Sequence, residues 1–103
     1  MINRGRGLSS QLVTEVRRTF RIVNRLGLHA RAASVLAKLA GSFTAEISVE
    51  KEGQTARSTS VIELLMLCGQ PDSEVTVIAV GEDAEQAVAA IGTLIGDRFG
   101  EGS

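Results

Sequence analysis

Few residues in this sequence can do chemistry, and their scarcity narrows the choice. The 103-residue chain has one histidine, His29, one cysteine, Cys68, and neither tryptophan nor tyrosine. One cysteine cannot close an intrachain disulfide, and no Cys/His cluster has zinc-ligand spacing. Any mechanism needing two imidazoles is excluded. What remains is a single ring in the segment Gly27-Leu28-His29-Ala30-Arg31-Ala32-Ala33, just before an apolar-periodic stretch. The first amides of a helix have no carbonyl partner within it, and together with the helix dipole they attract an anion. The amides of Ala30 and Arg31 would lie there, and the Arg31 guanidinium adds a permanent cation suited to phosphate oxygens. The same positive field favours the neutral ring, which alone has a lone pair for attack on phosphorus. The arrangement therefore suits a phosphoryl group on His29. Taken alone, the plainer reading is a half-buried histidine that starts a helix and does no chemistry.

The elements that must position this segment follow from periodicity. Thr19 to Val23 alternates, with Phe20 and Ile22 on one face, and predicts a strand. Asn24-Arg25-Leu26-Gly27 reads as a turn and loop. Over residues 30–41, Ala32, Val35, Leu36, Leu39, Ala40 and Phe43 make one apolar stripe at helical spacing, and Gly41 falls at the helix end. Ala45 to Glu50 alternates, Glu52-Gly53 turns the chain, and Gln54 to Arg57 returns as a short strand. Ser60-x-x-Glu63 is a capping-box signature for a short helix over 60–68, ended by Gly69, Pro71 and Asp72. Val75 to Val80 is apolar at nearly every position, the mark of a strand buried on both faces or nearly so. Asp83-x-x-Gln86 starts a second capped helix, with Ala84, Ala87, Val88, Ile91, Leu94 and Ile95 on one side. The order is βαββαβα. It predicts an α+β open-faced sandwich, a four-stranded antiparallel sheet covered on one face by helices. Residues 1–17 are read as a flexible N-terminal extension, an over-called start being an equal reading. Residues 18–98 form the domain, and 99–103 a frayed tail.

The net charge of −1 conceals a split. Residues 1–41 hold eight cations against Glu15 alone, net +7, and residues 42–103 hold three cations against eleven acids, net −8. Such a split can mark a partner face, or it is diluted by a fold that interleaves the halves. Nucleic acid is not the expected partner, because only Phe20 offers a stacking ring among the basic residues. No apolar run reaches the roughly 18 residues of a membrane span, and the N-terminus lacks the apolar core of a secretory signal. The expected location is the cytoplasm, and the expected state a monomer.

Gly27-Leu28-His29-Ala30-Arg31-Ala32-Ala33 resembles the active-site motif of the HPr family, the histidine phosphocarriers of the phosphoenolpyruvate-dependent phosphotransferase system. Its usual form is G-L-H-x-R-P-A. Ser60-Val61-Ile62-Glu63-Leu64-Leu65-Met66-Leu67 resembles the short helix carrying that family's regulatory serine, and its wording is closest to the nitrogen-related branch, NPr. The resemblance covers about residues 18–97 and agrees with the element order. It implies a stoichiometric carrier rather than an enzyme, without a cofactor or metal. Such a carrier accepts phosphate at Nδ1 of His29 from phosphorylated enzyme I and passes it to a IIA-type acceptor. Arg31 and Ala30 would hold the phosphate. The sequence departs from the pattern at Ala32, where the family usually has proline. Alanine restores an N–H and is a good helix former, so a working site is expected, and the departure bears on which partner enzymes accept the protein.

Ser60 has a structural job as N-cap, and the resemblance adds the reading that a serine kinase phosphorylates it, next to the docking surface. The helix after it is too apolar for an exposed one. Leu64 and Leu67 are expected to face the core, leaving Val61, Ile62, Leu65 and Met66 as an exposed patch that in HPr-like proteins docks onto enzyme I and IIA proteins. All six being core is the alternative. Cys68 reads as a small hydrophobe at a helix end. Two other readings stand beside the carrier. One is an HPr-like regulatory module that works by docking alone, which the histidine at position 29 argues against. The other is a generic α+β ligand-binding domain.

Overall fold

A computed structural model of the protein describes residues 14–103. The elements are β1 (Glu15–Arg21), α1 (Ala30–Ala40), β2 (Glu46–Lys51), β3 (Gln54–Arg57), α2 (Val61–Met66), β4 (Glu74–Val80) and α3 (Ala84–Gly96), with a tight turn over Arg98–Gly100. This is the expected βαββαβα order. The strands form one antiparallel sheet, β1-β4-β2-β3. Side chains alternate across a strand, so one face carries the core. Ile47, Val49, Ala56, Val75, Val77 and Ala79 are buried there with Leu36, Leu64, Val88, Ile91 and Ile95 from the helices. The opposite face is open. Thr76, Ile78 and Val80 of β4 lie on it and are only half-buried, so this central strand is not covered on both faces. A row of cross-strand partners runs over it from Arg17 through Ile78 and Ser48 to Arg57.

The first strand differs from its prediction. It begins at Glu15 rather than Thr19 and ends at Arg21, so residues 15–17 belong to the sheet and not to an extension. Val16 and Phe20 pack against the core with Arg18 between them, an interruption that hid the alternation. β1 is an edge strand, where charged residues are usual. Residues 1–13 of the expected extension lie outside the described residues. Phe20 packs so closely on α3 that a Cβ at Gly92 would stand 2.4 Å from its ring. Gly41 falls at the helix end as expected. It caps α1 with φ −67°, a conformation open to any residue.

The end of the chain is a larger correction. Residues 99–103 were expected to fray, yet Phe99 is 2% exposed within the core and Glu101 reaches His29. Burial of one aromatic side chain is worth about 1.5–3 kcal/mol, enough to hold a short segment. Arg98, Phe99 and Gly100 take φ of 56°, 54° and 78°, three consecutive left-handed residues that turn the tail back across the molecule.

Backbone bonds fasten the loop before α1. Leu28 N–H donates to Gly69 O (2.7 Å), Ile22 N–H to Ser73 O (2.8 Å) and Asp72 N–H to Ile22 O (2.7 Å). Gly27 has φ +69°, and a Cβ there would lie 2.5 Å from Gly69 O, so the position requires glycine. The loop leaving α2 thus clamps the loop entering α1, setting the two helices side by side.

Candidate functional site

His29 is the N-cap of α1, with extended backbone (φ −83°, ψ −178°). Its carbonyl accepts the first intrahelical bond, from Ala33 N–H at 2.8 Å. The amides of Ala30, Arg31 and Ala32 therefore precede the hydrogen-bonded ladder. No side chain caps them and no acid stands in the first turn, while Lys38 in the last turn complements the dipole. This helix start is suited to an anion.

The imidazole is 29% exposed. Its Nε2 is hydrogen-bonded to Oε2 of Glu101, a residue 72 positions away. Nδ1 has no hydrogen-bond partner among the described residues. The Glu101 carboxylate is only 11% exposed, and its other oxygen, Oε1, accepts from Asn24 Nδ2 at 2.9 Å. Asn24 is fully buried and also donates to Gly27 O at 2.8 Å. The bond from Asn24, then that from His29, holds the Glu101 carboxyl below the ordinary carboxylate value, against its partial burial; the charge of Arg31 adds to the effect. Arg25, Leu26, His29, Arg31, Glu101 and Ser103 line a surface cavity of about 340 Å³. A cleft of about 460 Å³, lined by Phe43, Ile47 and Arg57 among others, lies at the other end of α1, roughly 16 Å along the helix.

The structure thus brings His29, Ala30 and Arg31 together at one helix start. The field at the ring is not purely positive as expected, because the Glu101 carboxylate meets it directly. The charge split also resolves here. Arg18 pairs with Glu85 and Arg21 with Glu74 across the two halves of the chain, all exposed pairs worth little, while Arg25 and Arg31 rim the histidine.

Asn24 and Glu101 were missed. Asn24 was read only as a turn residue. Glu101 sat in a glycine-rich stretch whose one signal was Phe99, a lone aromatic too costly to leave in solvent.

Ser60 lies in the neighbouring element. Its Oγ accepts from Glu63 N–H at 3.2 Å and caps α2 as expected. The other half of the capping box is absent. Glu63 turns away to Arg57, accepting from its backbone N–H (2.8 Å) and from Nε (2.9 Å). The Arg57 guanidinium holds the Glu63 carboxyl below its ordinary value, and the Arg57 pKa is raised in return. Leu64 and Leu67 face the core as predicted, whereas Ile62 (72%), Met66 (69%) and Leu65 (38%) are exposed. Val61 departs from the predicted patch. It is half-buried, because the first turn of α2 lies against the core. Cys68 is exposed and left-handed (φ 55°), one residue beyond the helix cap.

Fold and site together make a small α+β sandwich with one imidazole at an open helix start. Residues 16–97 match the family described as "PTS HPr component phosphorylation site". The chain is 42% identical over 91 residues to the phosphocarrier protein NPr of Shewanella violacea, covering 88% of this chain and all of that one. It is 40% identical over 81 residues to the phosphocarrier protein HPr of Cupriavidus necator, covering 79% and 91%. Among solved structures, HPr-C-His from Thermoanaerobacter tengcongensis superposes with a TM-score of 0.82 at 33% identity, over 85% of this chain and 99% of that one. The chain belongs to the HPr family of phosphocarrier proteins, with NPr-like wording in α2. Members of that family carry phosphoryl groups and are not catalysts.

Proposed function

We propose that this protein accepts a phosphoryl group on Nδ1 of His29 from the phosphohistidine of an enzyme I and passes it to a histidine of a IIA-type acceptor. The observation that carries the reading is the state of the ring. Nε2 is tied to Glu101, Nδ1 is free of protein partners among the described residues, and the ring stands at a helix start beside Arg31. In the transfer, the Nδ1 lone pair forms a bond to phosphorus as the donor's P–N bond breaks, and the donor imidazole leaves with that electron pair. The phosphoryl oxygens then take the first-turn amides of Ala30 and its neighbours, with Arg31 as counter-charge. Ile62, Leu65 and Met66, with Val61 at the edge, supply the apolar docking surface. The protein works as a cytoplasmic monomer, and the NPr-like wording of α2 favours a regulatory IIA protein over a sugar transporter. Ser60 is the candidate for control by a serine kinase. Its neighbour Glu63 is held by Arg57, so a phosphate there would not face a free carboxylate directly.

Incubation with phosphoenolpyruvate and the cognate enzyme I tests the relay. The expected result is an acid-labile, base-stable gain of one phosphate, abolished in His29→Ala. No gain in the unaltered protein would sink the reading, and a gain that no acceptor removes would favour a docking regulator.

A further inference from the structure

We infer that Glu101 is a positioning residue of the relay, holding the ring proton on Nε2 of His29 so that Nδ1 faces phosphorus with its lone pair. The inference rests on the relay reading and deepens it.

The two oxygens of this carboxylate have separate partners. Oε1 is held by Asn24 Nδ2 at 2.9 Å and Oε2 receives Nε2 of His29. Asn24 is 0% exposed and its amide is also committed to Gly27 O, so the carboxylate rests on a fixed support within the phosphate loop itself. The tail is held on both sides of Glu101. Phe99 is sunk in the core two residues before it, and Ser103 O accepts from Arg25 N–H at 3.2 Å two residues after it. Non-glycine residues in the left-handed region are strained and persist only where their surroundings determine them. Arg98 and Phe99 are both there, and the turn they make aims Glu101 at the histidine.

The chemistry follows from the donor inventory. A carboxylate can only accept, so the neutral ring bound to it carries its hydrogen on Nε2 and its lone pair on Nδ1. A carboxylate on the far nitrogen also fixes ring orientation, as it does in metal sites and catalytic triads. When Nδ1 bonds to phosphorus the proton stays on Nε2 and the ring becomes cationic. Glu101 offsets that charge. In the onward step the same proton lets the ring leave as neutral imidazole when the P–N bond breaks. Glu101 therefore serves both acceptance and donation.

The test compares unaltered protein with Glu101→Gln, which keeps an acceptor but loses the charge, and Glu101→Ala, which loses both. ¹⁵N spectra of the histidine ring read the tautomer without any partner present. The expected outcome is Nε2–H in the unaltered protein and a mixed population in Glu101→Ala. Phosphorylation by enzyme I should slow about tenfold or more in Glu101→Ala and less in Glu101→Gln. A backbone amide spectrum unchanged outside the tail and loop separates positioning from folding. If the unaltered protein takes phosphate while both variants match it in tautomer and rate, the inference falls and the relay stands. If the unaltered protein takes none, the relay falls and this inference with it.

Discussion

Two helices of this molecule begin in opposite ways. α2 closes its own start, with the Ser60 hydroxyl on the amide of Glu63 and the Glu63 carboxylate committed to Arg57. α1 leaves its start open. Its N-cap is a histidine whose ring turns away from the helix amides to Glu101, and no acid stands in the first turn. A side chain that already satisfies its helix has a structural role whether or not it is modified. A helix start whose cap residue is turned outward has donors available for something brought from outside. Of these two starts, only the second leaves its first-turn amides without a side-chain cap, as the proposed phosphate relay requires. A third start contrasts with both. Asp83 stands at the N-cap of α3 without capping it, and its carboxylate accepts from the N–H groups of Thr44 (2.9 Å) and Ala45 (2.8 Å), stapling the helix start to the loop before β2.

The contrast can be broken most severely at the open start. Arg31→Ala should slow phosphorylation of His29 by about a hundredfold with the fold intact, the usual cost of losing one charge-stabilising donor, and Arg31→Lys should recover part of it. Rapid-quench measurement of phosphate acceptance checks this, and an unchanged rate would return the phosphate to the backbone amides alone. The closed start should respond in the opposite sense. Ser60→Ala should cost about 1 kcal/mol in urea unfolding and leave phosphate acceptance unchanged. If Ser60 is also regulatory, Ser60→Asp should slow acceptance while the fold survives. The stapled start is read by pH. The bonds from Thr44 and then Ala45 hold the Asp83 carboxyl below its ordinary value of 3.8, against a desolvation penalty. Its contribution is therefore fully present above pH 3.8 and is lost as the pH falls through the lower folded value. Asp83→Asn should flatten the fall in stability below that pH in thermal melts. The smallest change concerns the departure from the family pattern. Ala32→Pro should shift stability by less than about 1 kcal/mol, because the first intrahelical bond is that of Ala33 and the N–H removed has no partner in the ladder. A large loss would instead show that the ring cannot fit where Ala32 is fully buried.

Most of the architecture could be read from the residues. The apolar stripe over 30–40, the alternation at 46–50 and the Ser60 cap each reflect a local rule, and local rules survive folding. The misreadings share a different cause. Arg18 disguised the edge strand, because an edge tolerates charge where a central strand would not. The tail was misjudged because its glycines suggest freedom, while a single side chain, Phe99, decides where it lies. In the site, His29 and Arg31 were legible as near neighbours in a motif. Glu101 was not, since nothing local links residue 101 to residue 29, and they are joined by the packing of Phe99 and by the bonds from Asn24 and Arg25 to the tail.

That long link makes the site depend on a segment outside the regular elements. A chain grown only as far as Gly96 has every strand and helix of the sandwich, His29 included, and still lacks the carboxylate that its ring meets in the finished fold. On this geometry a cut after Gly96 would spare every regular element and leave the His29 ring without its carboxylate.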